Sequence, residues 1–410
     1  MGSSPMTELA TRRSTMLFDW LSTRSKQIAV AAIGLSLLLA GGYGVILGNE
    51  LRYSDEHVYL ELTQSLVDGR GFAFGTDSTA YRPPGYPFLL LPLHLVSGGN
   101  VFVMRLLGVA CLVGAVWFGY LLAHRISPVA GALVAVVTAA YPLFVYTATA
   151  LYPQMPALFL LLMMLEFGLR ARDRWVWAIP SGLSAGFLTI TVPSFAPTLL
   201  LLAIFIGWRA RKAIAVLLVA AAIIPGLWCI RNAVVMGAFI PVSTNNGVNL
   251  LLGNNPSATG SSGTSVDVMA YEQRAKELNL DEVGIDKFYS DQAVEWITSN
   301  PAQAAGLYVA KVAHNFAYSD TLKTEGQGAS DLLAALSYYP ILALAVLRIM
   351  LSKRFPLRRV DKLCVWAIVL NVLLLAVFFT RIRFRVPLDE LTIILAVSTV
   401  VVWWDRRRIA

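Results

Sequence analysis

The chain has 410 residues, 57% hydrophobic and only 14% charged, where a soluble domain averages about 45 to 50% apolar and about 25% charged. That balance excludes a soluble globular protein and reads as an all-α polytopic membrane protein. The net charge of +8 calls for no nucleic-acid partner, because Lys and Arg gather on one side of the topology the sequence implies.

A bilayer core of about 30 Å takes about 20 apolar residues per helix. Ten segments qualify, at 28–48, 100–122, 128–149, 152–169, 175–191, 194–208, 213–235, 332–351, 363–380 and 386–404. Pro193 and Pro197 interrupt the run around Thr191 to Ser194, which reads as two short spans or one kinked segment. The basic stretch from Arg12 to Lys26 leads into a full-length span and reads as an anchor, not a cleaved signal. Four regions follow: a cytoplasmic tail at 1–26, a transmembrane module at 27–236 containing an outer loop at 49–99, a second outer loop at 237–331, and C-terminal helices at 332–410. With both ends cytoplasmic, 20 of the 33 Lys and Arg residues lie inside, so the two long loops are expected on the extracytoplasmic face.

In the first outer loop, "SDEHVYLELTQSLVDGRGF" starts a helix at Ser54 or Asp55, aligns Val58, Leu62 and Leu66 on one face and stops at Gly69. "PPGYPFLLLPLHL" follows, too short to span and broken by prolines, which suits an interfacial or re-entrant piece. The second outer loop opens on the turn-rich "STNNGVNLLLGNNPSATGSSG". Two helices are expected after it, one aligning Tyr289, Ala293, Trp296 and Ile297, the next opening at Pro301 and aligning Tyr308, Val309, Val312 and Phe316.

No phosphate-cradling Gly-Lys-Ser/Thr loop, dinucleotide fingerprint or paired-His metal motif is present, and four histidines are scattered over separate segments. Cys111, Cys229 and Cys364 all lie in apolar runs, which leaves no disulfide framework. What remains is a set of carboxylates and arginines at the outer lipid interface. A carboxylate there can take the proton of an acceptor hydroxyl, and arginines can hold a lipid phosphate as it leaves.

These residues carry a resemblance. "DEHVYLELTQSLVDGRGF", "YRPPGYP", "GLSAGFLTITVP", "IPGLWCIRNAVVMGAFIPVSTNNGVNLLLGNNPSATG", "AVEWITSNP" and "RIRFRVPLDELTIILA" resemble, in order, the membrane GT-C glycosyltransferases that use polyprenyl-phosphate sugars. That superfamily includes the protein O-mannosyltransferases and the aminoarabinose transferase of lipid A. The chain is most similar to shorter bacterial and archaeal members labelled glycosyltransferase family 39-like. The resemblance implies a GT-C-like fold with about ten transmembrane helices and extracytoplasmic amphipathic helices, in a prokaryotic cytoplasmic membrane. It implies a polyprenyl-phosphate sugar as donor, an acceptor lipid, polysaccharide or protein, no cofactor and no metal.

Carried over by position, Asp55 is similar to the family's first-loop aspartate, the base or acceptor-orienting group, with Glu56 as supporting acid. Arg82 resembles the donor-phosphate contact, and Arg231, Arg383 and Arg385 stand where the family keeps basic residues at span ends. His57, Tyr81, Asn245, Asn246 and Asn254 are the expected acceptor or sugar contacts. Two departures stand out: Gln154 replaces an acid found in many relatives, and Val192 replaces an arginine.

Simpler readings of the same residues remain open. Acids at a helix N-terminus gain about 0.3 to 1 kcal/mol from the helix dipole. Arginines at span ends also reach lipid headgroups, and the Asn-rich loop also suits plain turns. Arg105 reads as an anchor, and Glu166 with Arg170 as an intrahelical pair. A transporter or flippase of a lipid-linked or anionic substrate is the alternative to the enzyme. It predicts charges inside spans and matching inverted halves, and the sequence shows no such halves.

Overall fold

A computed structural model describes residues 16–260, 266–318 and 328–409. Arg12, Arg13 and parts of the 237–331 segment lie outside the described residues. Among the described residues the architecture is helical, with one two-stranded hairpin. In chain order the helices are α1 (Ser25–Leu47), α2 (Ser54–Val67), α3 (Gly85–Ser97), α4 (Val101–His124), α5 (Pro128–Ala140), α6 (Pro142–Thr149), α7 (Gln154–Ala171), α8 (Ala178–Thr191), α9 (Thr198–Ile206) and α10 (Arg211–Val235). They continue as α11 (Asn246–Gly253), α12 (Met269–Glu277), α13 (Glu282–Ser299), α14 (Pro301–His314), α15 (Gly328–Met350), α16 (Arg359–Leu375) and α17 (Ile382–Ile409). Strands β1 (Ala73–Phe74) and β2 (Asp77–Ser78) pair antiparallel between α2 and α3.

Among the described residues, six helices are long and apolar enough to cross a membrane, and a bent pair raises the number to seven. The pair is α5 and α6, which meet at 54° where Pro142 removes a backbone donor from an otherwise continuous run. The three remaining segments expected as spans form the shorter helices α8, α9 and α16. Pro193 and Pro197 separate α8 from α9 with a single 3-10 turn at Pro193–Phe195, and α9 ends at Gly207, whose φ of 91° is open to glycine.

The core is a bundle in which α4 packs on α5, α7 on α8, and α17 on α5 and α7. Helix α17 is the central element: residues such as Leu391, Ile394 and Val401 are fully or almost fully buried. The lateral helices α1, α10 and α15 bury only a minority of their residues, as helices at the edge of a membrane bundle do. The "GLSAG" stretch has a structural reason. A Cβ on Gly182 would stand 2.5 Å from the Leu217 carbonyl oxygen and one on Gly186 would stand 2.7 Å from that of Ala221. Glycines four apart therefore let α8 and α10 touch backbone to backbone.

Outside the bundle, α2 buries Leu62 with Val58 and Leu66 against Phe72, Ile190 and Trp228, the face its apolar spacing predicts. The Asn-rich stretch differs from the expected loop, because residues 246–253 form α11. Gly247 lets α11 lie on α13, where its N–H donates to Asp286 Oδ1 at 2.6 Å. Glu282 at the start of α13 joins the two long segments at 49–99 and 237–331. It accepts from Thr79 Oγ1 at 2.6 Å and the Ala80 N–H at 2.8 Å, and from Thr244 Oγ1 at 2.5 Å.

Candidate functional site

Asp55 sits in the first turn of α2, where the helix dipole favours a negative charge. Arg82 approaches from the segment between β2 and α3, and Arg383 from the first turn of α17. Each donates from Nη2 to a different oxygen of Asp55, both at 2.7 Å. Burial opposes ionisation of Asp55, but the charges of Arg383 and Arg82 outweigh it and hold the carboxyl below its usual range. Aromatic rings steady both cations: the Arg82 guanidinium lies 5.3 Å from the Tyr81 ring and 6.0 Å from Tyr59, and that of Arg383 lies 4.5 Å from Tyr152. The Nε atoms of Arg82 and Arg383 are buried without a hydrogen-bond partner.

Both arginines line a cavity of about 520 Å³. Asp55 stands behind them and is not part of its wall. One part of the wall is apolar, from Pro193, Pro197, Leu374, Leu375, Phe378, Phe379 and Phe384; another is polar, from Gln154, Ser194, Asn245, Asn246 and Asn249. Gln154 is only 5% exposed, and its Oε1 has no hydrogen-bond partner. Gly85 explains the "PPG" turn: a Cβ there would meet the Ile190 carbonyl oxygen at 2.8 Å, so only glycine lets α3 close this side of the site.

The other expected site residues stand elsewhere. Glu56 is buried at 1% exposure and its oxygens accept from the N–H groups of Arg52, Tyr53 and Leu151 at 2.6, 3.0 and 2.9 Å. With Arg105 3.7 Å away, it pins the start of α2 to the α6–α7 junction. Arg105 itself is buried and donates to the carbonyls of Gly48, Thr149 and Glu50. It is thus an internal clamp. Arg231 donates to the carbonyls of Thr79 at 2.8 Å and Phe72 at 2.9 Å, holding the hairpin. Arg385 is buried, pairs with Asp389 at 3.2 Å and donates to the Asn315 carbonyl at 3.1 Å. Asn254 donates to the carbonyls of Leu250 and Val377 and accepts from Lys311 Nζ at 3.0 Å. His57 is exposed. Neither His57 nor Tyr81 lines the cavity.

Sequence reasoning missed Tyr59, Tyr152 and Asn249 in the wall. Tyr59 had a signal, since it follows Asp55 by four residues and must share its helix face. Among the described residues no three of His, Cys, Asp and Glu converge as a metal would require. The neighbours of Asp55 are two guanidinium groups, which would repel a cation.

No protein-family model matches this chain, and no curated protein matches it in sequence. Solved structures do match in fold. The oligosaccharyltransferase of Archaeoglobus fulgidus tethered with an acceptor peptide is 14% identical with a TM-score of 0.56, over 95% of this chain and 50% of that one. The same enzyme in complex with Zn and sulfate is 15% identical with a TM-score of 0.55, over 93% and 50%. ArnT from Cupriavidus metallidurans bound to undecaprenyl phosphate is 13% identical with a TM-score of 0.41, over 92% and 77%. The chain spans about half the length of the oligosaccharyltransferase chains it matches. It is an all-α polytopic membrane protein with a GT-C-like fold.

Proposed function

We propose that this chain is a membrane glycosyltransferase that moves a monosaccharide from a polyprenyl-phosphate donor to an acceptor hydroxyl on the extracytoplasmic side, with inversion. The chain would cross the membrane ten times, with both ends in the cytoplasm. The observation that carries the reading is the Arg82–Asp55–Arg383 cluster at the wall of a cavity that is otherwise largely apolar. A lipid phosphate needs both halves, cations for its head and a greasy wall for the first units of its tail.

The resting arrangement is a poor base, because a carboxyl held low by two cations takes up a proton reluctantly. The donor phosphate changes this by drawing the Arg82 and Arg383 donors, including the unused Nε atoms, onto its own oxygens. Asp55 is then uncovered and more basic. The acceptor oxygen attacks the anomeric carbon, its proton passes to Asp55, and the bond from that carbon to the phosphate oxygen breaks. The leaving polyprenyl phosphate keeps the electron pair and stays paired with the two arginines. Gln154, Asn245, Asn246 and Asn249 supply amides for sugar hydroxyls, and Glu56, Arg231, Arg385 and Asn254 hold the frame.

Purified protein assayed with polyprenyl-phosphate sugar and acceptor tests this. Asp55→Asn is expected to lower kcat by about 10² to 10⁴-fold, the usual worth of a general base, while still binding donor. Arg82→Gln and Arg383→Gln are expected to raise KM for donor. Unchanged transfer in Asp55→Asn rejects the role given to it.

A further inference from the structure

A second cavity, of about 280 Å³, lies at the other end of the bundle. Its wall contains Arg125, Arg172, Asp173, Arg358 and Arg359. Helix α4 starts beside the Asp55 site and ends at this cavity, and its 24 residues span about 36 Å, so the two sites are separate.

The arginines have fewer acids than they need. Glu166 is shared, accepting from Arg125 at 2.7 and 2.9 Å and from Arg170 at 2.7 Å. Among the described residues, Arg359 finds only the carbonyl of Phe205. Arg358 finds the carbonyl of Ile126 and, at 3.9 Å, Asp405. Arg172 and Asp173 are exposed. Helix dipoles account for part of the set, since Arg125 and Arg172 cap the C-terminal ends of α4 and α7. They do not account for Arg358 and Arg359, which stand at the N-terminal end of α16, where the dipole disfavours a cation. Four guanidinium groups, two of them against their helix dipole, line one hollow whose wall contains a single acid, Asp173.

We propose that this cavity binds a phosphate-bearing anion, and that the source is the headgroup of an anionic phospholipid. The depth favours lipid over solute: Trp175 and Trp208, 42% and 68% exposed, lie on the segments beside the cavity, as aromatic residues do at a membrane interface. Basic pockets between helices at that depth suit such headgroups.

The test uses full-length protein reconstituted in phosphatidylcholine, with or without phosphatidylglycerol, then released for native mass spectrometry. A second arm titrates inorganic phosphate into lipid-free detergent samples and follows Tm. Expected is retention of phosphatidylglycerol over phosphatidylcholine. Arg172→Glu should lower that retention by about fivefold or more, from about 1 kcal/mol per basic residue near a charged surface, while Asp173→Asn raises it. Arg209→Gln, outside the cavity, should leave it unchanged, which separates a site from general surface charge. A Tm rise with inorganic phosphate that Arg172→Glu abolishes, without lipid retention, keeps the anion site and overturns the lipid source. Equal retention in wild type, Arg172→Glu and Asp173→Asn, with no phosphate effect on Tm, overturns the proposal.

Discussion

Asp55 and Arg383 are 328 residues apart in the chain and meet at 2.7 Å, so the first turn of α2 and the first turn of the last helix are joined by one charge pair. The companion pair with Arg82, also 2.7 Å, makes Asp55 the common partner of two cations. The carboxyl ionises below its usual value because those cations outweigh the effect of burial. A group whose folded pKa is lowered stabilises the fold above its unfolded value and loses that contribution as pH falls through the folded value. The Tm of wild type should exceed that of Asp55→Asn at neutral pH. The gap should close on acidification below about 3.8, the ordinary value, as followed by thermal unfolding in detergent at graded pH.

Gln154 gives a prediction in which stability and activity part ways. Its buried Oε1 has no partner, and leaving such a group unsatisfied costs about 1 to 3 kcal/mol. Gln154→Leu should therefore fold as well as wild type or better. The same variant should raise KM for the sugar donor, because the amide facing the cavity is gone. A fall in Tm with unchanged KM would make Gln154 a structural residue instead.

Lys311 is buried on α14 and donates to the Gly253 carbonyl at 3.1 Å, Asn254 Oδ1 at 3.0 Å and the Val377 carbonyl at 3.3 Å. Burial lowers its pKa from 10.5 to about 8. Between those values the unfolded chain holds a proton that the folded chain has released, so this residue's contribution to stability rises with pH across the window. Wild-type Tm measured against Lys311→Met should climb from about pH 8 to 10.5. At neutral pH the variant should be destabilised by about 1 to 3 kcal/mol, as buried acceptors lose their donor.

The contact of α8 with α10 leaves no room for a methyl group at Gly182, where a Cβ would stand 2.5 Å from the Leu217 carbonyl oxygen and 2.6 Å from Ala220 Cβ. Gly182→Ala should cost about 1 to 3 kcal/mol through overpacking. Gly34→Ala on α1, with nothing within 4 Å, should cost nothing. Denaturation in mixed micelles compares the two.

Much of this site was legible from local pattern, and what was not depends on contacts made over long distances in the chain. The apolar face of α2 followed from Val58, Leu62 and Leu66, and Asp55 with Arg82 from an acid at a helix start and a basic residue before a proline pair. Arg231, Arg383 and Arg385 looked alike as basic residues at span ends. Only the fold shows that Arg231 and Arg385 are occupied by backbone carbonyls and that Arg383 reaches Asp55. The Asn-rich run read as a loop because its residues favour turns, yet Gly247 allows α11 a backbone contact with α13 that no local preference encodes. The expected span at 128–149 bends at Tyr141–Pro142, and the one at 363–380 is a helix that starts earlier and ends by Leu375. Apolar composition measures greasiness and does not show where a helix stops.

The bonds from Glu282 to Thr79 and Thr244 also set an order of events during synthesis. Glu282 closes a loop of 203 residues back to Thr79, and ribosomes add about 5 to 20 residues per second. The segment that carries Thr79 therefore waits on the order of tens of seconds for its staple. During that interval the hairpin and the Arg82 segment lack their anchor, and α17, which brings Arg383, is still to be made. A nascent or truncated chain that stops before α13 would carry Asp55 without its two arginine partners held in place, so the Arg82–Asp55–Arg383 cluster is complete only once α17 has been made.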